Sequence, residues 1–259
     1  MSVPDRMRVG VFVAGVLVVA GLAGCVKQAV PPQPPPPSVN PAPSAPPNEP
    51  EALMATIRGL VKQAGVGDDI REREIEVGDW YGACDLLIAD RDQQTVGGVE
   101  FDQVWGVGLE VNPVSSFANI QGPTTLLDVT VIGLPDASAA VAAAHAARTA
   151  RCPREPFRLT IGMATARWGA RTVTIESTSA RLTTATVSRV DPQTAGGMTL
   201  LPGDARLIFA HGQLLISIEA LTFWPRKANT AAEVTAMAQA KVTSLATAIV
   251  KTLPTASEG

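Results

Sequence analysis

The residues of this 259-residue chain that could do chemistry are three cysteines, two histidines and an uneven spread of arginines and acids. His145 and His211 are too few for a multi-histidine metal site. The sequence has no GxSxG elbow, HExxH pair, phosphate-binding glycine loop or CxxC pair. Asp90-Arg-Asp92 opens like a calcium loop. Thr95, however, stands where that loop needs glycine, and Phe101 where it needs a bidentate glutamate, so the segment reads as a polar turn. Gly106-Val-Gly108 lacks the third glycine of a dinucleotide fingerprint. A Ser-His-Asp arrangement drawn from Ser115 or Ser116 has no motif behind it. The expectation is a protein without catalytic residues, metal or cofactor.

Charge is more suggestive. Residues 72–136 carry twelve acidic side chains against Arg73 and Arg91, and residues 148–206 carry nine arginines against Glu155, Glu176, Asp191 and Asp204. Two blocks of one fold could use this difference to pair their surfaces. Alternatively, some of Arg151, Arg154, Arg158, Arg167, Arg171 and Arg181 could line a groove for an anionic ligand. The net charge of −3 gives no sign of a nucleic-acid partner.

The first cysteine carries a different chemistry. Arg6 and Arg8 precede an apolar run from Val9 to Gly21 that is short for a membrane span and suits an export signal. The run ends in Leu22-Ala23-Gly24-Cys25, which resembles the bacterial lipobox, where the cysteine thiol is acylated and the chain is cut in front of it. Residues 1–24 are then a signal peptide, and Cys25 anchors the protein by its acyl chains to the outer face of the cell membrane. The competing reading is an ordinary secretory signal with an incidental cysteine. In that oxidising compartment Cys84 and Cys152 make an even pair that reads as one disulfide bridge, with a reactive thiol as the alternative.

Eleven of the 21 prolines fall between Pro31 and Pro50, so residues 25–50 read as a lipidated N-terminus and a semi-rigid spacer. At ~3.1 Å per residue the spacer could hold the folded part of the chain up to about 75 Å from the membrane. Residues 51–259 have mixed apolar and charged composition and read as a single domain.

Within it, Leu53, Ile57, Leu60, Val61 and Ala64 recur at helical spacing, with Gly65 placed to end the helix. Leu127, Val129 and Val131 alternate as a half-buried strand, and Asp136 is an N-cap for an alanine-rich helix over 137–151 with Cys152 at its end. Period-two patterns from Phe157 to Ile218, broken at Gly, Asp or Pro, predict several antiparallel strands with His211-Gly212 at a hairpin tip. Thr230-Ala-Ala-Glu233 has capping-box spacing and opens a helix with Val234, Met237, Ala238, Val242, Leu245, Ile249 and Leu253 on its apolar face. The fold class is α+β: a twisted antiparallel sheet with helices packed mainly on one face.

The lipobox, the proline-rich spacer, Cys84, the run VTVIGLPDASAAVAAAHAARTARC and the run ARLIFAHGQLLISIEAL before a closing alanine-rich helix together resemble mycobacterial lipoproteins that carry the PknH-like extracellular sensor domain. The resemblance covers about residues 75–253 and rests on order and spacing. It implies that Cys84 and Cys152 match that family's first bridge, whereas the second would need cysteines near Asp204 and Leu221 that this chain lacks. It further implies a twisted antiparallel sheet, a cleft for an unidentified ligand and no catalytic residues.

The function these readings favour is a lipid-anchored extracytoplasmic binding or sensing domain, expected as a monomer. Its partners would be the membrane, through the N-terminal lipid, and a small-molecule, lipid or cell-wall ligand. The alternative is a carrier of lipids or glycolipids within the cell envelope, and an envelope hydrolase comes last.

Overall fold

A computed structural model describes residues 50–65, 67, 69–74, 89–90, 95–96, 98–112, 122–152, 156–159, 164–190, 194–195, 198–225 and 230–253. All of them lie in the unit Ala45–Gly259. The helices form where spacing and caps predict them. Helix α1 (Pro50–Gln63) buries Leu53, Met54, Ile57 and Val61, and Gly65 follows it at φ 61°, the left-handed conformation that stops a helix. Helix α2 (Ala137–Thr149) starts at Asp136, whose carboxylate accepts from the Ala139 amide at 2.8 Å. Its last turn ends at Thr149, so Cys152 stands three residues beyond the helix rather than at its end. Helix α3 (Ala231–Thr252) has the full capping box: Thr230 Oγ1 accepts from the Glu233 amide at 3.3 Å, and Glu233 Oε2 accepts from the Thr230 amide at 2.6 Å.

The strands are β1 (Asp69–Glu74), β2 (Ala89–Asp90), β3 (Thr95–Val96), β4 (Val99–Glu100), β5 (Trp105–Asn112) and β6 (Thr124–Gly133), then β7 (Phe157–Leu159), β8 (Ala164–Ile175), β9 (Thr178–Val190), β10 (Thr194–Ala195), β11 (Met198–His211) and β12 (Leu214–Pro225). Strands β2, β3 and β4 make a small sheet of their own. The others form a nine-stranded sheet in the order β1-β5-β6-β12-β11-β9-β8-β7, with β10 paired to β11. Every pairing among the described strands is antiparallel. The α+β, single-domain reading of the sequence therefore describes the molecule.

The two faces of the sheet follow from period-two alternation. Leu127, Val129 and Val131 of β6, Ala205, Leu207 and Phe209 of β11, and Leu214, Ile216 and Ile218 of β12 point to one side, where they pack with α1 and α3 in the main core. Ile132, Ile208 and Leu215 point to the other and pack under α2. Helix α2 meets them with Ala140, Ala143, Ala144 and Ala147, small residues one turn apart that let its backbone sit close to the sheet. Of the three described α-helices, α1 and α3 thus share a face, and α2 occupies the opposite one.

Strand β11 runs straight through Pro202-Gly203-Asp204, where the sequence reads as a turn. Proline is tolerated there because the register with β9 begins only at Asp204. Gly203 is required for a different reason. Any Cβ at this position would collide with the backbone of Val234 and Thr235, so the first turn of α3 rests directly on the strand. At the far end of β11, His211 is buried rather than part of an open turn, and its Nε2 donates to the Leu253 carbonyl at 2.8 Å, tying the hairpin to the end of α3.

Candidate functional site

The sheet face that carries α2 extends beyond that helix, and there it is crossed by a row of charge. Register partners share a face, so Arg71 of β1, Glu110 of β5, Asp128 of β6, Glu219 of β12 and Arg206 of β11 lie side by side across five strands. Asp128 and Glu219 face each other directly across β6 and β12. Two carboxylates so placed repel, and each is clamped by an arginine. Arg73 Nη2 lies 2.8 Å from Asp128 Oδ2, and Arg206 pairs with Glu219. Burial pushes the Asp128 carboxyl up, Arg73 opposes that push, and Glu219 adds to it.

One step along β11 on the same face is Asp204, whose register partners are Leu221 on β12 and Ala185 on β9. Asp204 is 4% exposed, and its Oδ1 has no hydrogen-bond partner. Burial, reinforced by the negative charge of Glu219, pushes its carboxyl well above the usual carboxylate range. Half-buried Trp168 of β8 is the next residue in that row, opposite Ala185. The arrangement can hold and release a proton and can offer carboxyl oxygens to hydrogen-bond donors. Among the described residues, no group of three or more His, Cys, Asp or Glu side chains could hold a metal ion.

The arginines proposed for an anion groove are placed differently from one another. Arg181 is buried on the α2 side. Its Nη1 donates to the carbonyls of Ala147 and of Ala150, the latter at 2.7 Å, and its Nη2 lies 3.1 Å from Cys152 Sγ. Desolvation lowers its pKa from the free value. Arg167 and Arg171 of β8 are exposed and alternate to the opposite face, being register partners of Thr186 and Leu182. Arg151 is exposed just after α2, the side chain of Arg158 on β7 lies outside the described residues, and so does Arg154. Arg181 therefore shares no face with Arg167 and Arg171. Its local role is to satisfy the end of a helix, where backbone carbonyls lack partners and the helix dipole favours a cation. No described ion pair joins the acidic segment 72–136 to the arginine-rich segment 148–206; the former pairs with Arg58 and Arg73, and the latter's Arg206 with Glu219.

Cys25 and Cys84 lie outside the described residues. Sequence reasoning missed Asp204 and Glu219. Pro202-Gly203 disguised the first as a turn, and the signal that could have found both is the continued alternation of Asp204, Arg206 and Ile208 and of Leu215, Ser217 and Glu219.

No family model matches the chain, and no curated protein matches it either. Among solved structures it has a weak fold-level resemblance to the extracellular domain of PknH from Mycobacterium tuberculosis, at 13% identity. That match covers 78% of this chain and 92% of the other, with a TM-score of 0.37. A score and an identity that low tie this chain to no family.

Proposed function

We propose that the chain is a lipid-anchored extracytoplasmic binding or sensing domain that performs no catalysis. The observation that carries this reading is Leu22-Ala23-Gly24-Cys25 at the end of a short apolar run behind Arg6 and Arg8, followed by the proline-rich spacer. No described helix is long and apolar enough to cross a membrane. An acylated Cys25 would supply the attachment, since each buried methylene of the acyl chains contributes about 0.8 kcal/mol.

In this reading residues 25–50 set the distance from the membrane and residues 51–259 present the sheet. A Cys84–Cys152 bridge would fix the segment after α2. Exposed Arg167 and Arg171 would be the arginines able to meet an anionic ligand on one face, while the charged row from Arg71 to Arg206 would be the polar surface on the other.

The test is expression of the full chain and of Cys25→Ser in a bacterium that processes lipoproteins, followed by membrane fractionation and mass spectrometry of the N-terminus. The expected result is a diacylglycerol-modified Cys25 in the membrane fraction and loss of both the modification and the membrane association in the variant. An unmodified cysteine on a released protein overturns the reading.

A further inference from the structure

We propose that Asp204 is a proton-operated latch on the α2 side of the sheet: its carboxyl keeps a proton while that face is closed, and losing the proton opens it. Neither the lipid anchor nor any ligand is needed for this behaviour. Asp204 is 4% exposed and its Oδ1 has no hydrogen-bond partner, so an ionised carboxylate there would have one oxygen with neither water nor a donor.

Among the described residues no neighbour supplies compensation, the side chains of Arg158 and Arg189 lying outside them. On β9 its register partner is Ala185 and on β12 it is Leu221, neither of which can donate from its side chain. Glu219, diagonal to it on β12, is of like sign, and Arg206 on β11 is already engaged with that glutamate. Farther along the same face are the Arg73–Asp128 pair, exposed Arg71 and Glu110, and Arg181, whose guanidinium is held by the end of α2. The other charged or titratable side chains of α2, His145 and Arg148, are respectively exposed and turned toward the Ser179 carbonyl. Helix α3 packs on the opposite face, and the Glu233 carboxylate in its first turn is engaged with Thr230. The raised affinity of Asp204 for its proton follows from burial and from the charge of Glu219.

The direction of opening is set by Gly203. The first turn of α3 rests on that glycine, so β11 has no room to move toward α3. An ionised Asp204 can regain water only on the α2 side.

The test is made on the full chain in detergent micelles, by following the side-chain carbon of Asp204 by NMR against pH and amide hydrogen exchange, corrected for intrinsic rate, over the same range. The expected midpoint lies well above the ordinary aspartate value of ~3.9. Exchange over residues 201–206 and 219–224 should accelerate at least about tenfold as pH rises through that midpoint, because the raised proton affinity of the closed state is lost there. In Asp204→Asn the pH step should vanish. A midpoint at or below the ordinary value, a wild-type chain with no exchange step, or a step that survives in Asp204→Asn overturns the proposal. The two wild-type measurements decide the matter even if the variant does not fold.

Discussion

The Nη1 of Arg181 donates to the carbonyl oxygen of Ala150 at 2.7 Å, so a strand residue closes the end of a helix that precedes it in the chain. The same nitrogen reaches the Ala147 carbonyl, and the other terminal nitrogen reaches Cys152 Sγ. Arg181→Ala would leave buried helix-terminal carbonyls without a donor and open a void under α2. It should lower the unfolding free energy by about 3 kcal/mol. Arg181→Lys, with fewer donors and no planar fork, should recover less than half of that. Urea denaturation of the three proteins checks this, and a loss below about 1 kcal/mol for the alanine variant would count against a structural role.

Gly133 and Trp105 are register partners at the end of β5 and β6, and the indole ring lies where a Cβ on Gly133 would go. Gly133→Ala should therefore push Trp105 off the main core and cost about 1–3 kcal/mol, an overpacking penalty. Thermal unfolding measures it. A neutral result would mean that the indole can move aside freely.

Stability should fall as pH rises from about 4 into the neutral range. Asp204 and Asp128 both have carboxyls pushed above the ordinary value in the folded protein. The folded state then binds more protons than the unfolded state between the unfolded and folded pKa values, so the contribution of each group is full below the unfolded value and is lost as pH climbs through the folded one. Asp136 and Glu233 act oppositely, because their hydrogen bonds at the helix N-termini lower their pKa and their contribution is lost on acidification. Denaturation midpoints between pH 4 and 8 should thus decline in the wild type and flatten in Asp204→Asn; an unchanged slope in that variant would refute the assignment to Asp204.

Glu176 sits in the β8–β9 turn at φ 52°, a conformation that costs a non-glycine residue about 1 kcal/mol. Its exposed ion pair with Lys251 at 3.2 Å returns no more than about 0.5 kcal/mol. Glu176→Asn should raise the midpoint of thermal unfolding, because asparagine tolerates that region better. A lowered midpoint would show that the ion pair matters more than the backbone.

If Cys84 and Cys152 are bridged, they close a loop of about 69 residues, and reduction should cost roughly 4 kcal/mol in the chain-entropy model. Maleimide labelling of denatured, unreduced protein gives the check. Cys84→Ser and Cys152→Ser should each expose one new thiol relative to the wild type, and one labelled thiol fewer in each variant than in the wild type would exclude the bridge.

Much of the scaffold was legible because its signals are local. Asp136 before an alanine run, Thr230 three residues before Glu233, and Gly65 after Ala64 specify helix ends through hydrogen bonds that span a few residues. The strands β6, β9 and β12 announce themselves by alternation. The charged row was not legible. Asp128, Glu219 and Arg206 are distant in sequence, and their meeting depends on β6 pairing with β12 and β12 with β11. The arginine set failed to separate for a related reason: Arg171 and Arg181 are ten residues apart, yet the hairpin between β8 and β9 places Arg181 beside Thr172, one residue out of phase with Arg171.

The amino-acid sequence by itself determined the helices with their caps, the alternating strands, the α+β class and the lipobox-like run that ends at Cys25. Each of these is encoded by neighbours within about one or two turns of chain, where the periods of 3.6 and 2 act. Tertiary structure alone decided that α2 takes the face opposite α1 and α3, that Arg181 is spent on the end of α2, and that Asp204 is buried without a donor beside Glu219. Those outcomes depend on strand order and register, which are set by contacts between residues far apart in the chain and by the burial those contacts create. Charge and proton affinity in the interior are properties of that burial and cannot be assigned to a residue before its neighbours are in place.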